Sequence, residues 1–457
     1  MQDHRPNRRT IVVAGGAMLA TAAVSQALPK VVRAQQPGKR KNVEALSQAE
    51  LETYELAMQT VIDRSKVDPA DKTGYRYWAN LHNDFDTPHS GCAHFSEKFL
   101  PWHRRHLYDF EMVLRQTKPG VTDNLMIPYW DWTKPPKEGV HFPKAFERVG
   151  SALFDKRFSI APPPWDAQEV FDMVHSQDWS YFAGLPDPSD GFGSNPGAIE
   201  SGPHNTLHSN ISRDMRSPGT AALDPIFWSF HAYVDLAWTR WQRLHVPPGT
   251  AQSFRDGAAK LWFLDRSFDV SSTAKLTDFN YEYEYDYSSD GPPAGPTPLA
   301  LPPAASVYAA ARRSIVLKVA AESGRFLTLR PEGPIGPAQN LVLRIGEAPA
   351  FREKTYQLDI YLHPASIDVS SINDAGRRSL TVRSITVWRA HHDTKIQLFA
   401  RLSTAQVARL NEGWTISIAS RLVVSGEDAQ SLATAPSDAV SLMPTSALIG
   451  QLTIEER

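Results

Sequence analysis

The chain has 457 residues, 42% apolar and 21% charged, with a net charge of -2 at pH 7, the balance of a protein that folds around a core. Near-neutral charge argues against a nucleic-acid or anionic-membrane partner. The single cysteine, Cys92, excludes an intrachain disulfide, and at about 150 residues per domain the length suggests two or three domains.

At the N-terminus, Arg8-Arg9 precede a weakly apolar run from Ile11 to Leu28 that ends near Val32-Arg33-Ala34, a small-residue cleavage site. This is the pattern of a twin-arginine (Tat) export signal. Residues 1–34 are therefore expected to be a signal peptide, and the mature chain to be periplasmic or secreted. No other stretch is apolar enough to span a bilayer, so no membrane contact is expected after cleavage.

Residues 35–43 read as a polar, flexible lead-in. A helix is expected after Ser47, where Ser47-x-x-Glu50 forms a capping box and Tyr54, Ala57, Met58 and Val61 recur at helical spacing. A second helix is expected from Tyr75 to Asn83, with His82 in it, and a third from Pro101 to Arg115, with His103 in its first turn. Between them, residues 84–93 read as loop. Residues 117–200, rich in Pro, Gly and aromatics, read as mostly irregular, with Pro162-Pro163-Pro164-Trp165 as a packed loop. A helix carrying His204 and His208 follows. The stretch from Leu223 to Asp235 reads as a buried helix holding one histidine, His231, and continues to Trp241.

Residues 287–306 hold six prolines and two glycines, which favours an extended linker. Beyond it the apolar period shifts from helical to alternating, as in Ile315, Leu317, Val319 and in Trp414, Ile416, Ile418. Short strands separated by turns point to an all-β sandwich.

His204 and His208, at i and i+4, project from one helix face and can reach one metal ion. With His231, and with His82, His94 and His103 upstream, they allow two sites of three neutral imidazoles each. Imidazole suits Zn, Cu, Fe and Ni. No cysteine pair or carboxylate set accompanies the six, and ligand sets of such low charge tolerate Cu(I). His106, three residues after His103, is the near alternative. His89, His141, His175, His245, His363, His391 and His392 read as ordinary surface or core histidines.

The segments Cys92-Ala93-His94, Phe99-Leu100-Pro101-Trp102-His103-Arg104-Arg105-His106, His204-Asn205-Thr206-Leu207-His208 and Asp224-Pro225-Ile226-Phe227-Trp228-Ser229-Phe230-His231-Ala232-Tyr233-Val234-Asp235 resemble the two copper signatures of the tyrosinase/catechol oxidase (polyphenol oxidase) family. Trp262-Phe263-Leu264-Asp265, Tyr281-x-Tyr283 and the β-rich C-terminal part resemble its plant-type members. The resemblance implies a mainly α catalytic domain, a four-helix bundle with long loops around a dicopper site, over residues 35–287. It implies a linker over 288–306 and an all-β sandwich over 307–457 that shields the site.

It also implies two copper ions, with His82, His94 and His103 on copper A and His204, His208 and His231 on copper B. A thioether between Cys92 and His94 would tether the loop-borne ligand. Glu200 and Asn205 would orient a water that helps deprotonate a monophenol, and Asp235 would support the copper B region. Phe230 stands where many members have a second adjacent histidine, which bears on redox tuning. Pro218 stands where a bulky residue often caps copper A, which implies wider access.

The activity implied is ortho-hydroxylation of monophenols and oxidation of o-diphenols to o-quinones with O2, so O2 and small phenols are the expected partners; a copper chaperone is left open. The alternatives are a catechol oxidase or o-aminophenol oxidase without monophenol activity, a haemocyanin-like O2-binding protein, and a zinc-stabilised binding protein.

Overall fold

The structure, a computed structural model, describes residues 37–82, 92–134, 142–157, 167–185 and 196–295, with breaks at 213, 256, 258 and 264–265. Beyond these it describes 314–323, 326–335, 341–345, 355–387, 398–423 except 403, and 452–456. The export signal, residues 296–306 of the linker, the run Pro162–Trp165 and Leu264-Asp265 lie outside the described residues.

Helix α1 (Gln48–Val67) opens on the expected capping box: Ser47 accepts from the Glu50 amide, and the Glu50 carboxylate accepts from the Ser47 amide at 2.8 Å. Tyr54, Ala57, Met58 and Val61 form its buried stripe. Helix α2 (Tyr75–Leu81) stops at His82, and α3 (Phe99–Arg115) begins two residues before Pro101. Its proline thus lies in the first turn, where the missing N–H costs nothing.

Helix α7 (Ile226–His245) is the axis of the domain. Every residue from Ile226 to Trp238 is buried, as expected of a helix apolar on all sides. The Asp224 carboxylate accepts from the Ile226 amide at 3.0 Å at its start, satisfying one of the free donors of the first turn. α3 packs along α7, with Phe110 stacked on Trp228 at 3.9 Å.

Two helices occupy the stretch expected to be irregular, α4 (Ala167–His175) and α5 (Trp179–Ala183). The first buries Val170, Met173 and Val174 against α7. The second is capped by Asp178, which accepts from the Ser180 and Tyr181 amides.

The lead-in expected to be flexible is part of the fold. Strand β1 (Gly38–Arg40) pairs in parallel with β4 (Tyr281–Tyr283), placing Arg40 opposite Tyr283. The reason is Arg40, fully buried, whose guanidinium donates to Glu111 at 2.9 Å and to Asp235 at 3.4 Å. A small hairpin of β2 (Lys260–Phe263) and β3 (Arg266–Asp269) lies between them in sequence.

The C-terminal region is an eight-stranded antiparallel arrangement: β5 (Ser314–Ser323), β6 (Phe326–Pro331), β7 (Leu341–Ile345), β8 (Thr355–Pro364), β9 (Thr381–Val387), β10 (Leu398–Leu402), β11 (Trp414–Val423) and β12 (Leu452–Glu456). Its spatial order is β10-β7-β12-β5-β6-β11-β8-β9. Ile416 and Ile418 are buried as the sequence pattern suggests, but so are Thr415, Ser417 and Ala419 between and beside them, so β11 is covered on both faces rather than on alternate residues. Two short helices, Asp374–Leu380 and Thr404–Asn411, sit among the strands. The edge strand β9 packs against the segment Glu200–His204 and the helix that follows it.

Candidate metal centre

Six histidines from six places in the helical region converge. His82 ends α2, His94 lies in the loop before α3, and His103 projects from the first turns of α3. His204 closes a wide π-helical turn, Glu200–His204, His208 lies on α6 (Asn205–Ile211), and His231 lies on α7. The π turn contains Pro203, which removes a helical hydrogen bond and clashes with the preceding turn. The histidines at i and i+4 still meet across this junction, with ring centroids 4.4 Å apart.

The ligand atoms fall into two groups, His82, Cys92, His94 and His103 in one and His204, His208 and His231 in the other, each with its atoms within 4.8 Å of one another. The groups face each other. His103 and His231 are stacked at 4.3 Å and 3°, and His94 and His204 lie 5.8 Å apart.

Four rings are oriented through Nδ1, which donates at 2.8 Å in each case: His82 to the Pro218 carbonyl, His103 to the Phe99 carbonyl, His204 to Asn205 Oδ1, and His208 to the Met215 carbonyl. An imidazole whose Nδ1 carries the proton presents a bare Nε2 to a metal. His82 Nε2 is buried and has no hydrogen-bond partner, and His208 Nε2 lies 3.2 Å from His231 Nε2.

Burial, reinforced by the neighbouring imidazoles, pushes the pKa of His94, His103 and His231 well below the ordinary value. His204 and His208 shift the same way, chiefly through burial, and burial brings His82 down to about 4. All six are therefore neutral at pH 7, the state that binds metal. Neither group contains a carboxylate, so each suits an ion that accepts three neutral nitrogen donors. The two groups fit a dicopper site.

His106 belongs to neither group. Its Nε2 is bonded to the Trp78 carbonyl at 2.8 Å, and its ring lies between Trp102 and Trp228. His175, His245 and His363 bond to backbone carbonyls away from the centre. His89, His141, His391 and His392 lie outside the described residues.

Cys92 is buried, with Sγ 3.1 Å from His103 Nε2 and 3.7 Å from His94 Nε2. Its thiol therefore reaches both rings, and burial, with Glu200 nearby, pushes its pKa up. Phe230 stacks at 5.6 Å on His204 and meets His208 edge-on. Pro218, read from the sequence as a missing cap, contributes its backbone carbonyl to His82.

Asp235, one turn beyond His231, accepts from Arg104 at 2.6 Å, from Tyr283 at 2.7 Å and from Tyr281. Burial opposes its ionisation, but Arg104, Arg40 and the two hydroxyls outweigh it and hold its pKa below the ordinary value. It fastens α7 to α3, β1 and β4 through these partners. Glu200 is buried, and its Oε1 accepts from the Phe95 amide at 2.7 Å.

Residues 72–161 and 152–244 match the family model described as the common central domain of tyrosinase. Polyphenol oxidase E of Solanum lycopersicum is 29% identical over 228 residues, 41% of this chain and 38% of that protein. A tyrosinase of Hahella sp. strain CCB-MM4 is 27% identical over 44% of this chain and 53% of its own length. The chain thus spans about half or less of these two relatives. The solved structure of latent apple tyrosinase superposes with a TM-score of 0.59 at 18% identity, covering 92% of this chain and 96% of that one. At that identity the likeness is one of fold.

Proposed function

We propose that the chain, whose residues 72–161 and 152–244 match the common central domain of tyrosinase, is a dicopper phenol oxidase. It would oxidise two o-diphenols to two o-quinones while reducing one O2 to two waters, and hydroxylate monophenols at the ortho position. The observation that carries this reading is the face-to-face arrangement of two neutral three-histidine groups, four of whose rings are fixed with Nε2 inward.

His82, His94 and His103 would hold one copper, and His204, His208 and His231 the other. Copper, when bound, supplies the exchange of electrons between phenol and O2. The protein holds the rings neutral and inward. Phe99 and Phe227 line them, Phe99 within 4.7 Å of His103 and His204 and Phe227 within 4.8 Å of His82 and His231, and so exclude water from the centre. Phenols titrate near pH 10, so a monophenol needs a base at neutral pH. Glu200 and Asn205 would orient a water for that step.

The carboxylate of Glu200 and the amide oxygen of Asn205 also accept hydrogen bonds from the protein itself. That favours a second reading, a catechol or o-aminophenol oxidase without the monophenol step. Oxygen uptake by the copper-loaded full chain separates the two. Uptake with a catechol and with tyrosine unaided by added diphenol supports the first, uptake with catechol alone the second, and uptake with neither overturns both.

Export through the Tat pathway by residues 1–34 and a thioether between Cys92 and His94 belong to the same reading. Intact mass of the copper-loaded protein, lower by two hydrogens, is the result expected for the cross-link. We also propose that the C-terminal domain restrains the enzyme, because β9 packs on the segment bearing Glu200 and His204. Cleavage between residues 296 and 313 is expected to raise the oxidation rate of a bulky diphenol severalfold; an unchanged rate would contradict it.

A further inference from the structure

The loop that carries His94 contains a backbone anomaly with a specific partner. Phe95, the next residue, has φ 60°, the left-handed region that a side chain with a Cβ disfavours. Such a conformation persists only where the surroundings impose it. The Phe95 N–H donates at 2.7 Å to Glu200 Oε1. A bond to a buried carboxylate is charge-assisted and stronger than one to a neutral acceptor. The other end of the loop is tied separately, by the Glu97 amide to the Leu185 carbonyl at 2.9 Å and by Trp179 Nε1 to the Glu97 carboxylate at 3.0 Å.

Glu200 is also the first residue of the π turn that ends in His204. One carboxylate therefore joins the loop bearing a ligand of one metal to the turn bearing a ligand of the other, across 105 positions of sequence.

We propose that Glu200 is a positioning residue: by holding Phe95 in the left-handed conformation it sets the direction of the His94 ring and locks the spacing of the two ligand groups. The role rests on the dicopper reading but is separate from any part in deprotonating a phenol. It makes the ligand set itself depend on the carboxylate.

The test uses the full chain and the variants Glu200→Gln, Glu200→Leu and Glu200→Leu with Phe95→Gly. Hydrogen exchange at the Phe95 amide is measured on the metal-free proteins, and copper per chain after loading. Glu200→Leu is expected to speed exchange at Phe95 about a hundredfold and to lower copper from two per chain towards one. Glu200→Gln, which keeps an acceptor of lower strength, is expected to speed exchange severalfold and keep two coppers. Adding Phe95→Gly is expected to restore the second copper, because glycine adopts φ 60° without the steric cost.

Unchanged exchange and two coppers in Glu200→Leu would overturn the proposal. If that variant does not fold, unchanged exchange at Phe95 in Glu200→Gln does so. Failure of the unaltered chain to take up copper would instead count against the dicopper reading, since the exchange measurement needs no metal.

Discussion

The two halves of the metal centre are built differently. The half with His204, His208 and His231 stands on helical segments, His204 and His208 on successive turns and His231 on α7, and all three residues are fully buried. The half with His82, His94 and His103 takes one ligand from a helix end, one from a loop and one from a helix. Its loop ligand is less buried than the other five histidines and is followed by a left-handed residue. Helical ligands are placed by packing that the domain needs in any case, whereas the loop ligand is placed by specific bonds. The first half should therefore fail through loss of fold, and the second through loss of metal.

The largest effect on activity is expected from His231→Ala. It removes a ligand, the stacking on His103 and a fully buried ring on the central helix. Copper should fall to one per chain, diphenol oxidation should be lost, and the metal-free protein should lose roughly 3 kcal/mol, the usual scale for emptying a core position. His94→Ala should lose a copper too, but with a much smaller drop in metal-free melting temperature. Equal drops would break the contrast between the halves.

Asp235→Ala comes next. It leaves Arg104 without its carboxylate and Arg40 with Glu111 alone. Removing one partner of a buried pair costs about 3–5 kcal/mol, read as a lower midpoint of denaturant unfolding. Copper affinity should fall as well, because α7, which carries His231, loses its ties to Arg104, Arg40, Tyr281 and Tyr283.

The smallest effect sharpens the account of how α7 is anchored. Asp224, which caps α7, is paired with Arg157, whose Nε lies 3.1 Å from both its oxygens. Asp155 lies close enough to feel that carboxylate. Burial first, and Asp224 second, raise the Asp155 pKa to about 6. A carboxyl raised above its unfolded value destabilises the fold progressively as pH rises from about 4 to about 6, and fully above that. Asp155→Asn removes this and keeps the acceptor for the Lys156 amide. With solvent screening at this partly exposed group, it should stabilise the protein by about 1 kcal/mol at pH 7.5 and by nothing near pH 3.5. A gain of the same size at both pH values would exclude the electrostatic cause.

What could be read from the sequence follows the same division. The i, i+4 pair His204/His208, the Ser47–Glu50 box and the apolar run around His231 are local patterns, and local geometry decides them. α4 was legible too, since Val170, Met173 and Val174 have helical spacing; the proline run before it obscured the signal. The parallel pairing of β1 with β4 is not local, and a short basic segment such as Gly38–Arg40 reads as solvated until its buried carboxylate partners are known. The carbonyls of Pro218, 136 positions from His82, and of Met215, just after α6, orient His82 and His208; they are backbone atoms and leave no mark in residue type. The bond from Phe95 to Glu200 joins two loops in the same way, and a left-handed phenylalanine has no sequence signal.

The most direct measurement is the metal content of the purified, copper-reconstituted full chain. Two copper ions per chain, with a drop to one when either His94 or His231 is replaced by alanine, is the result expected of two facing three-histidine sites. One ion or none in the unaltered chain, or zinc retained in preference to copper, would contradict it.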